Sequence, residues 1–203
     1  AATTQDDFDN TNAVSNWKLG AFSATTGHPS CVSFFEQRLV FAGTNSEPQT
    51  IYFSKSGDYE NMTAGTNADD AMVYTIASNQ VNKIRYLKAV RTLIVGTTGG
   101  EFTVSADGTD AAITPTNIVI KKQSSYGTAN VDAQPAGSSR LFLQKAKRKI
   151  RELSYNFDVD GYVAPDLTIL NDTVTKSGIN QMEYQQSPDS ILWCVRDDGQ
   201  LAG

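Results

Sequence analysis

Four tight apolar runs recur along this chain at nearly constant spacing. They are Leu39-Val40-Phe41, Leu93-Ile94-Val95, Leu141-Phe142-Leu143 and Leu192-Trp193-Cys194-Val195, and their starts lie 54, 48 and 51 residues apart. The first three lead through a turn into a second run, at Thr50–Ser54, Glu101–Val104 and Ile150–Leu153, while the fourth leads into Asp197-Asp198-Gly199. Gly and Asp-Gly supply the positive φ angles that tight hairpin turns require, so each unit reads as a β-hairpin. A further strand is expected upstream of each hairpin, at Cys31–Phe35, Val81–Tyr86, Ala129–Ala133 and Ile179–Tyr184. A unit repeating at a period of about 50 residues indicates a stacked or radial repeat. Three to four short strands per period is the blade unit of a β-propeller. The expected fold is all-β: a β-propeller-like repeat of about four short-stranded units, forming part of a larger propeller. An all-β sandwich with evenly spaced strands is the alternative.

On this reading residues 1–26 are a polar lead-in with an early strand at Trp17–Phe22, and residues 27–203 hold the repeat, in units around 27–65, 72–110, 117–160 and 168–203. Met72–Ile76 then lies at the start of the second unit and Asn117–Lys121 at the start of the third, and Gln134–Ser139 separates two strands of that third unit. Only Asp166–Leu170 and the single turn Asp58–Met62 are helix-compatible. Phe41 and Trp193, at the centres of their runs, are expected to anchor the core.

Composition narrows the function classes. A formal net charge of −5 argues against non-specific nucleic-acid binding by the chain as a whole, although it leaves room for a basic face. No run of about 20 apolar residues is present, so no membrane span is expected. The opening Ala1–Asp7 lacks the basic start and apolar middle of a signal peptide. With no initiator Met and a stop just after a turn, the chain reads as a piece of a longer polypeptide.

The chemistry-bearing residues form no catalytic constellation. His28 sits between Gly27 and Pro29 in a turn, and no Gly-x-Ser-x-Gly elbow accompanies it. The acidic pairs Asp6-Asp7, Asp69-Asp70 and Asp197-Asp198 are adjacent residues, which point apart on a strand and into water in a turn. Asp158-Val159-Asp160-Gly161 opens like a calcium loop, but Ala164 and Pro165 interrupt the ligand pattern. Gly96–Gly100 lacks the Lys-Ser/Thr ending of a phosphate loop. Cys31 and Cys194 lie in apolar strand contexts and read as buried thiols, and a disulfide between them requires a ring that brings the first and last units together. One histidine and two cysteines do not make a structural zinc site without a carboxylate ligand. No catalytic, cofactor or metal residue is expected, and the chain is not expected to be an enzyme.

Candidate interaction residues remain. Lys145, Lys147, Arg148, Lys149 and Arg151 place five basic residues within seven, on the turn and second strand of the third hairpin, with Lys121-Lys122 on a neighbouring strand. This is a solvated hairpin tip or a contact for phosphate or an acidic neighbouring subunit. No aromatic residue is interleaved, which disfavours a stacking platform for single strands. Glu36 and Arg38 lie two apart, so on one strand they share a face as a surface ion pair or a subunit contact.

One stretch is more specific than the spacing. Gly27–Thr44, which contains Phe35-Glu36-Gln37-Arg38-Leu39-Val40-Phe41-Ala42-Gly43-Thr44, followed by Pro48–Tyr59 with its turn Gly57-Asp58-Tyr59, resembles structural proteins of tailed-phage particles. Ile150–Tyr155 with Gly161–Thr168, and Ile191–Leu201, resemble later signatures of the same group, so the resemblance spans roughly residues 27–203. The family named by these motifs is the tail tubular protein B, or tail nozzle, of short-tailed bacteriophages. The resemblance implies a non-enzymatic subunit of a tube that meets copies of itself and neighbouring tail and adaptor proteins, and that DNA crosses only transiently. It implies a virion location after synthesis in the host bacterial cytoplasm. This chain is much shorter than a whole nozzle subunit. A propeller-type ligand- or carbohydrate-binding module for host recognition is the alternative, and tyrosines or tryptophans exposed at loop tips would favour it.

Overall fold

The computed structural model describes residues 22–78, 81–108 and 111–203. Among them there are fifteen strands and no helix, and therefore none long and apolar enough to cross a membrane. Trp17, most of the early strand at 17–22 and the Asp6-Asp7 pair lie outside the described residues; Phe22 alone of that strand lies within them. The stretches Asp58–Met62 and Asp166–Leu170 are turns.

The strands form four antiparallel sheets, each a simple up-and-down meander following the chain. The first contains β1 (Cys31–Phe35), β2 (Arg38–Ala42), β3 (Thr50–Phe53) and β4 (Met72–Thr75). The second contains β5 (Ile84–Ala89), β6 (Leu93–Thr97), β7 (Gly100–Ala106) and β8 (Ile118–Ser124). The third contains β9 (Gln134–Ala136), β10 (Ser139–Leu143), β11 (Ile150–Asn156) and β12 (Gly161–Val163). The fourth contains β13 (Ile179–Gln185), β14 (Ile191–Arg196) and β15 (Leu201–Ala202). The leading strands β1 and β5 adjoin one another, as do β9 and β13. The second and third sheets meet through their outer strands β8 and β12. Four successive up-and-down meanders packed one against the next are blade-like units, and the fold is all-β and propeller-like.

The apolar runs have a direct physical cause. Strands buried on both faces read as continuous apolar sequence, whereas strands with one wet face alternate. In β6, Leu93 and Val95 enter the core shared with the first sheet, and Ile94 enters the core shared with the third. In β10, Phe142 faces the second sheet, while Leu141 and Leu143 face the fourth. Each inner sheet is thus packed on both sides.

Several boundaries differ from those the sequence suggests. Met72–Thr75 is the outer strand of the first sheet, and Ile118–Ser124 is the outer strand of the second, so neither opens the following unit. The long turn-rich connections before them resemble boundaries but return the chain to the same sheet. The expected strand Ala129–Ala133 is not a strand: Ala129, Val131 and Ala133 are buried as the chain crosses from the second sheet to the third, and their alternation reflects that burial. The pairing instead falls on Gln134–Ala136, which is β9 rather than a loop. Its Pro135 is tolerated because β9 lies at the sheet edge. Phe41 and Trp193 are half-buried rather than core anchors. Phe53, Tyr86 and Phe142 are the large aromatic side chains that are fully buried.

One position is fixed by close approach. Tyr86 lies across Gly96, its cross-strand partner, and a Cβ at Gly96 would fall 2.1 Å from the tyrosine ring. Gly96→Ala is expected to cost about 1–3 kcal/mol through overpacking, measured by denaturant unfolding. A midpoint equal to that of the parent would show that the ring has room to move.

Candidate functional site

The two residues read as a surface pair are built into the fold instead. The register Phe35↔Arg38 leaves Glu36-Gln37 as a two-residue hairpin turn with φ of 46° and 58°. Both values are positive, as a type I′ turn requires, and no glycine marks it. Glu36 is therefore at the turn and Arg38 on the strand, and they do not share a strand face. The Glu36 carboxylate accepts the backbone N–H of Ile113 at 2.7 Å. Arg38, only 2% exposed, lies on the same face of β2 as the buried Val40 and Ala42. Its guanidinium donates to the carbonyls of Ser54 (2.8 Å), Ala68 (2.7 Å), Asp69 (3.3 Å) and Asp70 (2.7 Å). It pins the β3–β4 connection from inside the fold.

The basic run divides in the same way. Lys145, Lys147 and Arg148 lie on the β10–β11 turn, with Lys149 leading into β11. Arg151 is buried: it donates to Gln144 Oε1 (2.9 Å) and the Ala164 carbonyl (2.7 Å), and its guanidinium carbon lies 3.5 Å from the centre of the Tyr126 ring. Lys147, at a positive φ, donates to Asn180 at 3.1 Å and lies 3.8 Å from Asp197. Lys149 pairs with Asp166 at 2.8 Å. Lys145 and Arg148 are exposed and have no ion pair among the described residues. The five-charge patch is in effect two unpaired cations flanked by two paired ones.

Lys121 and Lys122 both lie on β8 and alternate across its two faces. Lys121 does not join the basic run. It lines an 850 Å³ groove at the opposite end of the units, beside the β5–β6 and β11–β12 turns. That groove also holds Arg91, Asp107, Tyr155, Asp160 and Tyr162. The rings of Tyr155 and Tyr162 meet edge to face at 5.7 Å, and the Tyr155 hydroxyl donates to Asp160. The Asp158–Gly161 segment, read as a partial calcium loop, is the β11–β12 turn that positions Asp160. Sequence reasoning did not assemble this groove. Its one legible signal was the aromatic and acidic density of Tyr155–Tyr162.

A second, apolar cavity of about 420 Å³ lies between the third and fourth sheets, lined by Leu141, Ile150, Leu167, Val174, Ile179 and Cys194. Burial pushes the Cys194 thiol up to about 11, which suppresses its thiolate. Cys31 and Cys194 are both free and buried.

No protein-family model and no curated protein matches the chain. Among solved structures it is similar to a luciferin-regenerating enzyme, at 11% identity and a TM-score of 0.32, over 81% of this chain and 67% of that chain. Likeness at that level carries no correspondence of function.

Two outcomes follow from this geometry. Arg38→Ala strands buried carbonyls and is expected to destabilise by about 2–4 kcal/mol, whereas Lys145→Ala with Arg148→Ala should stay within about 0.5 kcal/mol, both by denaturant melts. Equal effects would place Arg38 at the surface. The hydrogen bond from Lys149, then that from Thr168, holds Asp166 down at about 2. A depressed carboxyl stabilises the fold above its unfolded value, and that contribution is lost as pH falls through about 2. Carboxyl titration by NMR should find this value, and Lys149→Ala should raise it toward the ordinary aspartate value of about 3.9.

Proposed function

We propose that the chain is a non-enzymatic structural module of a phage tail, of the nozzle or tubular type, working through contacts between subunits around a DNA conduit. The observation that carries this reading is the outer face of the first sheet, which is built from the same stretch that resembles tail proteins. Directly opposed strand residues share a face. The pairs Val32↔Phe41, Phe41↔Tyr52, Tyr52↔Val73 and Phe34↔Leu39 therefore form a continuous apolar surface. Phe22 covers part of it, edge-on to Phe41 at 5.4 Å and Tyr52 at 5.0 Å. Val32 (59% exposed), Phe34 (60%) and Val73 (46%) remain open, with Tyr59 stacked edge-on to Phe34. A contiguous exposed apolar face rimmed by polar residues marks an interaction surface.

In this role the partners are copies of the same protein and neighbouring tail or adaptor proteins, no cofactor is used, and the location is the virion. DNA is cargo and is held weakly, because a tube that gripped it would stall passage. The exposed Lys145 and Arg148 then supply at most a few phosphate contacts.

Light scattering across a concentration series should show self-association that Val32→Asp with Phe34→Asp abolishes. A chain that stays monomeric at every concentration, or a double variant that associates unchanged, would sink the subunit-contact reading. Titration with duplex DNA should show only weak binding that disappears as salt rises, with a log–log slope of about −0.9 per contact. Sub-micromolar affinity persisting at high salt would instead establish a dedicated nucleic-acid-binding role.

A further inference from the structure

We propose that Glu101 is a proton-binding group built into the seam between the second and third sheets, and that it makes their packing stronger in acid than at neutral pH. This goes beyond the structural role above and does not rest on it.

The seam holds a buried carboxyl that is only half served. Tyr86 and Ile94 of the second sheet pack there with Ala133, Phe142 and Leu153 of the third. Glu101 shares this face, because it stands opposite Gly96 on β6, and Gly96 stands opposite Tyr86 on β5. Glu101 is fully covered. One of its oxygens accepts from the Ser124 hydroxyl, and the other has no hydrogen-bond partner among the described residues. The Tyr86 hydroxyl is likewise buried and unpartnered. Its ring lies over Gly96, which separates the two residues in the register.

No surrounding cation pairs directly with this carboxyl. Arg151 lies opposite Phe142 in the third sheet and so faces the seam. It donates instead to Gln144 and the Ala164 carbonyl, lies on the Tyr126 ring, and makes no ion pair among the described residues. Arg140, two residues before Phe142, donates to the Ser139 and Ala89 carbonyls. On β5, Arg85 is engaged by Asn130 and Lys88 by Asp132, whose negative charge acts on Tyr86. On β8, Lys122 stands opposite Phe102, on the other face of the sheet, and Lys121 lies further along in the exposed groove. Tyr162 of β12 is held at Thr92.

Burial is the largest influence on Glu101 and works against its charged form. The Ser124 hydrogen bond, the Arg151 charge and the backbone amides of Glu101 and Tyr126 work for that form, but burial prevails and holds the carboxyl above its ordinary range. The folded chain therefore takes up a proton more readily than the unfolded chain. The stability this adds is complete below the ordinary glutamate value of about 4.3 and is lost as pH rises through the raised folded value. The neutral form also supplies an O–H on the face where the Tyr86 hydroxyl lacks a partner.

Glu101→Gln keeps the size of the neutral acid and cannot titrate. Urea unfolding of the parent and this variant, compared from about pH 4 to about pH 8, cancels the contribution of the other carboxyls. The parent should lose stability relative to the variant as pH rises. Its folded-to-unfolded ratio should fall about tenfold for each pH unit between the unfolded and folded titration points. Ser124→Ala, which removes a hydrogen bond favouring the carboxylate, should move that loss to higher pH. At neutral pH the amides of β7 and β11 should exchange hydrogen faster in the parent than in Glu101→Gln, with those of β1 and β14 unchanged. A stability gap that stays constant, or that opens in favour of the parent, would overturn the proposal. So would a pH window unmoved by Ser124→Ala, or exchange altered equally in all four sheets. If Glu101→Gln fails to fold, carboxyl titration of the parent by NMR decides: Glu101 must titrate above about 4.3, and a value at or below that overturns the proposal.

Discussion

The arrangement depends on one constraint: an inner sheet must bury both of its faces. A single sheet with apolar residues on both sides has no stable place in water, and burying each fully covered Leu, Ile, Val or Phe side chain contributes about 1.5–3 kcal/mol. The second sheet meets this through Leu93 and Val95 on one side and Ile94 on the other, and the third through Leu141 and Leu143 against Phe142. No sheet here is independent of its neighbours. The end sheets show the same constraint from the other direction. The outer face of the first carries half-covered Leu39 and Phe41, and the open Val32 and Phe34, where an inner sheet carries a packed layer.

Stacked sheets bury the chain that connects them, and backbone carbonyls in those connections need donors. Two arginines supply them. Arg38 gathers the carbonyls of Ser54, Ala68 and Asp70, and Arg151 takes the Ala164 carbonyl while lying on the Tyr126 ring. A guanidinium suits this task because its fork of five donors remains charged and can serve several acceptors at once. A buried charge is costly when unpaired, and these are satisfied by hydrogen bonds on several sides. Not every buried polar group is so well served. Glu101 has no exposed surface, accepts from Ser124 through one oxygen and leaves the other unpartnered, and burial raises its pKa. Burial works against its charged form, while the Ser124 hydrogen bond and the Arg151 charge work for it.

The surfaces left by this packing differ in character. One end carries the β10–β11 turn, where Lys145 and Arg148 project as solvated charges. The other carries a walled groove with Tyr155, Asp160, Arg91 and Lys121 around it. The outer face of the first sheet is apolar and partly open, at Val32, Phe34 and Val73. An exposed apolar face and a groove of mixed polarity call for different kinds of contact.

Residue order alone determined the repeat. Runs such as Leu93-Ile94-Val95 and Leu141-Phe142-Leu143 are continuous because two-sided burial demands it, and their spacing set the number of sheets. Burial parity was also legible for Arg38, which shares its face of β2 with Val40 and Ala42, yet its charge drew the reading to the surface. The Glu36-Gln37 turn escaped notice because positive φ is normally signalled by Gly, Asn or Asp, and here the tight register imposes it on other residues. Gln134–Ala136 was hidden by its proline, which an edge strand tolerates. Of the groove, only the aromatic and acidic density of Tyr155–Tyr162 was legible. Arg91, Lys121 and Tyr155 come from three strands or turns in two sheets, separated by 30 or more residues along the chain. Local pattern records which side of a strand is buried, because burial acts residue by residue. Which surfaces meet across two sheets is decided by packing between distant segments, and only the tertiary structure brings those residues together.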